Sequence, residues 1–307
     1  MNGILVVGSV ALDSVKTPEG ETHEALGGSA VYFSLAARHF APVRVVGVVG
    51  ADFPDKHRKM LVDRGVDVAG LQVLPGKTFR WAGRFGKDYN RARTLSTELN
   101  VFEKFDPMLS EEQKACPVVF LANIDPDLQR NVLSQMAGPR LVACDTMNYW
   151  IGSKKPAIKK LLSRVDILIV NEEEARKLTR EPSNVRAARC LSEWGPGVVV
   201  VKKGEHGSLL FAHGRIYPFP AYPIEFVKDP TGAGDSFAGG FVGYISTALD
   251  KWSHVEHLKR ALAYGTVMAS FNVSDFSTRL LDSLTRQALD ERARLYWEML
   301  SVPSGVL

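Results

Sequence analysis

The chain has 307 residues, 45% of them hydrophobic and 23% charged, with 38 lysines and arginines against 34 acids. That is ample length for a large core, and a net charge of +4 is too small to argue for nucleic acid as a partner. Three scattered cysteines, Cys116, Cys144 and Cys190, show neither metal-ligand nor disulfide spacing.

The run Ile4–Val10 is apolar and β-rich, as a central parallel strand requires. It lacks a basic start and ends at Asp13, so it reads as a strand and not as a signal peptide. Ligands bind at the carboxyl ends of parallel strands. Asp13 is therefore a candidate substrate ligand, with a plain turn residue as the alternative. Gly27-Gly28-Ser29-Ala30 then opens a helix, and a glycine pair there lets backbone come close to a partner. Val43–Gly50 is a second buried strand, Lys56–Arg64 a helix and Val66–Leu74 a strand.

Gly76-Lys77-Thr78 looks like the end of a phosphate-binding Walker loop. The reading fails: Gly70 is one residue too far upstream, Pro75 interrupts the loop, and Phe79–Phe85 alternates like a strand. Residues 77–100 read as strands around the polar turn Gly86–Arg91. With residues 12–25 they are expected to form a small antiparallel β insertion. By itself it reads as an edge hairpin whose aromatics are core. Asn90 and Arg91, in the turn, are candidates to reach a substrate.

From Cys116 the rhythm is strand–helix–strand, and polar residues recur at strand ends: Asn123, Asp145, Asn171 and Lys202-Lys203-Gly204. A doubly wound sheet gathers such ends on one edge, so the repeated placement predicts a site there. Asn171 and Glu174 by themselves read as a helix start with acids favouring the dipole. Gly207 reads as a turn before the hairpin Ser208–Phe211 and Arg215–Phe219. Two helices are expected late in the chain, over Ala261–Ser270 and, capped by Ser283, over Leu284–Leu300.

The most informative stretch is Lys228–Tyr244. Thr231-Gly232-Ala233-Gly234 leads into Asp235 and a small, apolar, helical segment. A helix start offers unpaired N–H groups and partial positive charge, and glycines let an anion approach them. Asp235 is either an N-cap or a carboxylate that accepts a proton while the amides hold developing negative charge. The uncharged run Ser236–Leu249 is too short to span a membrane, which needs ~20 residues. A soluble, cytoplasmic protein is expected.

The string Asp229, Gly232, Ala233, Gly234, Asp235 resembles the D-T-x-G-A-G-D signature of the ribokinase-like, or PfkB, carbohydrate kinases, with Pro230 where threonine is usual. Gly27 and Gly28 resemble the family's N-terminal sugar-site glycines, although Tyr32 stands where asparagine is frequent. The resemblance implies an α/β fold: a ribokinase-like doubly wound, mostly parallel sheet with a small antiparallel β lid. It would form one domain over residues 1–307, with the lid from about 12–25 and 77–100, a surface through which members often dimerise.

The resemblance also implies roles. Asn171 and Glu174 match an N-x-x-E motif that organises magnesium and phosphate through water. Lys203, Gly204 and Gly207 resemble the turn beside the nucleotide phosphates. Ala263, Val267 and Asn272 would line the adenine. Asp229 and Thr231, with carbonyls of residues 270–277, would hold a potassium ion, as in some relatives. The expected activity is transfer of the ATP γ-phosphate to a hydroxyl of a small sugar-like acceptor. Asp235 would be the base, the amides of Gly232–Asp235 the anion hole, and Asp13, Gly27, Gly28, Tyr32, Asn90, Arg91 and Asp145 the acceptor site. A nucleoside or cyclitol acceptor is the alternative within this chemistry, and a non-catalytic sugar or nucleotide sensor the alternative outside it.

Overall fold

The computed structural model describes residues 3–301; the expected domain, 1–307, runs past them at both ends. The strands are β1 (Ile4–Val7), β2 (Ala11–Thr17), β3 (Gly20–Gly27), β4 (Val43–Gly50), β5 (Val66–Leu74), β6 (Phe79–Phe85), β7 (Ala92–Glu98), β8 (Val118–Leu121), β9 (Leu141–Cys144), β10 (Ile167–Asn171), β11 (Val198–Lys202), β12 (Ser208–Ala212) and β13 (Arg215–Phe219). The helices are α1 (Ser29–Ala37), α2 (Asp55–Asp63), α3 (Glu111–Lys114), α4 (Pro126–Gln135), α5 (Asn148–Leu162), α6 (Glu172–Thr179), α7 (Asn184–Ser192), α8 (Ala233–Ser246), α9 (Val255–Asn272), α10 (Arg279–Ser283) and α11 (Arg286–Leu300).

Among the described residues, nine strands form one sheet in the order β13-β12-β11-β10-β9-β8-β1-β4-β5. Every neighbouring pair from β11 to β5 is parallel, and the hairpin β12–β13 adds an antiparallel edge. β1 lies between β4 and β8, so strand order reverses there and a crevice opens at the carboxyl ends. Side-chain alternation divides two cores. Ile4, Val6, Phe120 and Ile169 face α1, α8, α9 and α11, while Leu5, Val7, Leu121 and Val170 face the layer holding α4–α7.

The centre of the first layer is α8, held between α1 and α9 by glycines. A β-carbon on Gly240 would lie 2.8 Å from the Tyr264 carbonyl, and one on Gly265 2.9 Å from that of Phe237. Gly239 meets the Phe33 carbonyl of α1 just as closely. The Gly239/Gly243 spacing thus serves close helix packing inside a globular core. Among the described residues, no helix is long and apolar enough to cross a membrane.

A second sheet has the order β3-β2-β6-β7, with antiparallel outer pairs and a parallel central pair, β2–β6. Its aromatics divide. Phe79 stacks on Phe102 at 5.3 Å, as core aromatics do, while Trp81 folds over Gly83 of its own strand and donates to Thr94 at 3.3 Å. Gly76-Lys77-Thr78 is structural: Asp52 accepts from the Thr78 amide at 2.7 Å and its hydroxyl at 2.8 Å, and pairs with Arg80 at 2.8 Å.

Several boundaries differ from expectation; α9, for instance, begins at Val255 instead of Ala261. The first strand stops at Val7, and Asp13 lies within β2 of the small sheet instead of past the end of β1. α5 begins at Asn148 instead of Pro156; it carries a kink at Lys154 (φ −133°, ψ 29°) that accommodates the proline. The last helix is capped by Thr285, whose hydroxyl accepts from the Ala288 amide at 3.2 Å, while Ser283 ends α10.

Candidate active site

α8 starts in the crevice. Its N-cap is Gly232 at φ 75°, a left-handed conformation suited to glycine. The Tyr32 ring lies so close to Gly232 that a β-carbon there would overlap it. Ala233, Gly234 and Asp235 form the first turn, so Asp235 is the third helical residue and not the N-cap. The Ala233 amide turns back to the Pro230 carbonyl at 3.2 Å. First-turn amides have no carbonyl one turn behind them, and those of Gly234 and Asp235 lie at this open end.

Opposite them stands Lys202, the last residue of β11; a β-carbon on Gly234 would be 2.5 Å from its Nζ. An ammonium and a helix N-terminus therefore face the same space, which suits an anion. Lys202 belongs to the strand-end run read from the sequence, but the role beside the phosphates was expected there of Lys203. Lys203 instead closes the turn, its amide donating to the Gly207 carbonyl at 2.7 Å. Lys202 pairs in register with Asn171, another strand-end residue, a neighbourhood that only the assembled sheet shows.

Carboxylates surround this space. Asp235 is raised to about 6, chiefly by burial, with Lys202 opposing. Asp145, just past β9, is pushed well above its ordinary range by burial and by Asp235, and its buried Oδ1 has no partner. Glu174 is raised to about 7 by burial, against Lys202 and the Asn171 amide. Asn171 and Glu174 form a reciprocal capping box, each side chain accepting from the other's amide at 2.8 Å. The second Glu174 oxygen remains for the crevice. Gln129, missed in the sequence, pins the strand ends: its Nε2 donates to the Leu121, Ala122 and Asp145 carbonyls at 2.9, 3.0 and 3.1 Å.

Asp13 forms the other wall. Its carboxylate fills the space a side chain at Gly27 would need and accepts from the Gly28 amide. Burial raises it to about 7, with Asp229 and Asp235 adding. The glycine pair thus makes room for Asp13.

Several expected assignments are corrected. Tyr32 is 1% exposed, under the Gly232 loop, and offers no surface to an acceptor. Ala263 and Val267 are 0% exposed inside the α8–α9 core and cannot line a nucleotide. Asn272, 1% exposed, holds the loop from within. Asp229 ties the loop to the segment after α9: its oxygens accept from the Thr231 amide at 2.9 Å and the Ser277 amide at 3.1 Å. Thr231 keeps a buried hydroxyl without a partner. Asn90, expected to reach a substrate, lies against Gly204, where a β-carbon would overlap its side-chain amide. The adjacent Arg91 is exposed and, after Lys177, helps hold the Glu173 carboxyl below its ordinary value. Among the described residues, no cluster of three or more His, Cys, Asp or Glu could by itself hold a metal ion.

A helix start with open amides, a facing ammonium and a carboxylate in the same turn are groups that suit transfer of an anionic group. A family model, pfkB family carbohydrate kinase, matches residues 1–285. The chain belongs to that family and is a phosphotransferase with an alcohol group as acceptor. The cytidine kinase of Thermococcus kodakarensis is 33% identical over 252 residues, 80% of this chain and 89% of that one. The fold matches the Methanocaldococcus jannaschii nucleoside kinase, a member of the ribokinase family, with TM-score 0.77 and 20% identity over 96% of this chain and 99% of that one. It also matches a proposed ribokinase II of E. coli, crystallised with ATP and Mg2+, with TM-score 0.76 and 19% identity over 96% and 100% of the two chains.

Proposed function

We propose that the protein transfers the γ-phosphate of ATP to a ribose hydroxyl of a nucleoside. The observation that carries the transfer is Lys202 facing the first turn of α8, with Asp235 in that turn. The relative named cytidine kinase supports a nucleoside over the free sugar.

Asp13 grips vicinal hydroxyls, and the attacking hydroxyl gives its proton to Asp235. The amides of Gly234 and Asp235, with Lys202, hold the charge on the transferring group. Asp145 and Glu174 suit magnesium: one has an orphaned buried oxygen, the other an oxygen free of its capping box, and this ion is held by one or two carboxylates, waters and phosphates. When bound it neutralises phosphate oxygens. Residues 12–25 and 77–100 act as a lid that excludes water. Its open edge, β7, has seven exposed residues and suits pairing of two copies.

The test is ADP release from ATP and magnesium across nucleosides, pentoses, hexoses and inositols, with Asp235→Asn alongside. Turnover on a nucleoside is expected, falling by roughly 10²–10⁴ in the variant. Turnover on free sugars alone would overturn the nucleoside reading, and a fully active variant would remove Asp235 as base.

A further inference from the structure

The resemblance carries the expectation of a potassium ion held by Asp229, Thr231 and carbonyls of residues 270–277. In this chain protein donors engage the Asp229 carboxylate and the Thr231 carbonyl. Both Asp229 oxygens accept backbone amides, at 2.9 and 3.1 Å. The Thr231 carbonyl accepts from Asn272 Nδ2 at 2.7 Å. The Val273 carbonyl accepts the Lys228 amide at 2.8 Å, and the Ser270 carbonyl the Ser274 hydroxyl at 2.8 Å. Asp275, the nearby carboxylate, faces the Lys228 ammonium at 3.6 Å. A monovalent cation must exchange its hydration shell for protein oxygens. The Thr231 carbonyl, next to the anion hole, already has a neutral donor, while the Thr231 hydroxyl is buried without a partner and the half-exposed Lys228 ammonium stands beside Asp275.

We propose that Asn272 replaces that ion as a positioning residue, so that this kinase needs no monovalent cation. Asn272 ends α9 and is 1% exposed. Its Nδ2 holds the Thr231 carbonyl just before the anion hole, and its Oδ1 accepts from the Ser236 hydroxyl just after it at 3.1 Å. One side chain thus brackets Gly232–Asp235 from both sides. Water does not compete for these bonds, and a buried amide with both ends satisfied fixes its neighbours. An ion would hold the same carbonyl by its charge; here a neutral donor does so.

The inference rests on the kinase reading of the site but not on the acceptor's identity, and the first measurement needs no acceptor. The melting temperature of the full chain is compared in about 100 mM potassium chloride and in tetramethylammonium chloride of equal ionic strength. Equal values are expected, and a rise specific to potassium overturns the proposal. With the acceptor found in the panel, rates in the two salts should agree within about twofold, whereas tenfold stimulation by potassium overturns it. Asn272→Ala should lower kcat about 10- to 100-fold while KM for ATP and acceptor stays within about threefold. Wild-type kcat in that variant overturns the positioning role. Should it not fold, Asn272→Asp keeps the size and the acceptor for Ser236 but loses the donor to Thr231. The same fall in kcat is expected, and full kcat overturns the role. Absence of turnover on any acceptor would count against the nucleoside reading and leave the melting comparison to decide this one.

Discussion

Lys202 Nζ lies over Gly234 so closely that a β-carbon there would come within 2.5 Å of it. An ammonium in that position and the amides behind it address one anion from two sides. Removing the charge while keeping the stem, as in Lys202→Met, should lower kcat about 10²- to 10³-fold, the cost of losing one such stabilising group. Gly234→Ala should do much the same by displacing the ammonium. Steady-state kinetics of both variants checks this, and a Lys202→Met enzyme with normal kcat would remove the residue from the mechanism.

Asp235 is raised to about 6, mainly by burial. A base works only when deprotonated, so kcat/KM should rise about tenfold per pH unit below that value and level off above it. A profile flat from about pH 5 to pH 8 would assign the proton to another group.

Asp13 gives a stability prediction of opposite sense to that of a salt-bridged carboxylate. Its folded value, about 7, lies above the ordinary 3.8, so the folded state holds the proton more tightly than the unfolded one. The associated stability is present below the unfolded value and is lost as pH climbs through about 7. Asp13→Asn should therefore raise stability at about pH 8, on the order of 2 kcal/mol, and little at about pH 4. It should also weaken acceptor binding. Denaturant melts at the two pH values decide it, and a variant less stable at the higher pH contradicts the argument.

Gly232→Ala meets two obstacles, a left-handed φ of 75° and the Tyr32 ring. The backbone alone costs about 1–2 kcal/mol. A lowered melting temperature is expected together with loss of turnover, because the displaced loop carries the anion-hole amides.

Asn90 and Gly204 bring the turn between β6 and β7, the proposed lid, against the turn that follows β11. Gly204→Ala should push the lid away and raise acceptor-independent ATP hydrolysis, because water then enters. Removing the obstructing amide with Asn90→Ala in the same chain should recover part of the loss. Strictly additive effects in this double-mutant cycle would show that the two residues do not couple.

Much was legible locally. The apolar runs at β1, β4 and β8–β11 are short, continuous and rich in β-branched residues, as strands buried on both faces are. The strand-end acids were legible for the same reason, since a parallel sheet gathers those ends on one edge. The Thr231–Asp235 string announced a helix start made for an anion because glycine content and chain order are local properties. The start of α5 was not legible, because Gly152, Ser153 and Pro156 look like breakers until the kink at Lys154 is seen.

Long-range pairings stayed hidden. A sequence shows Asn272 and Thr231 as 41 residues apart; folding α9 against α8 makes them donor and acceptor. Likewise, neighbouring lysines at 202 and 203 are chemically alike, and only the strand's pleat sends one to the anion hole and leaves the other to close a turn. Chain order and residue type determined which chemistry was present. Packing decided which copy of each group performs it, because burial and direction belong to the assembled fold and not to the residue.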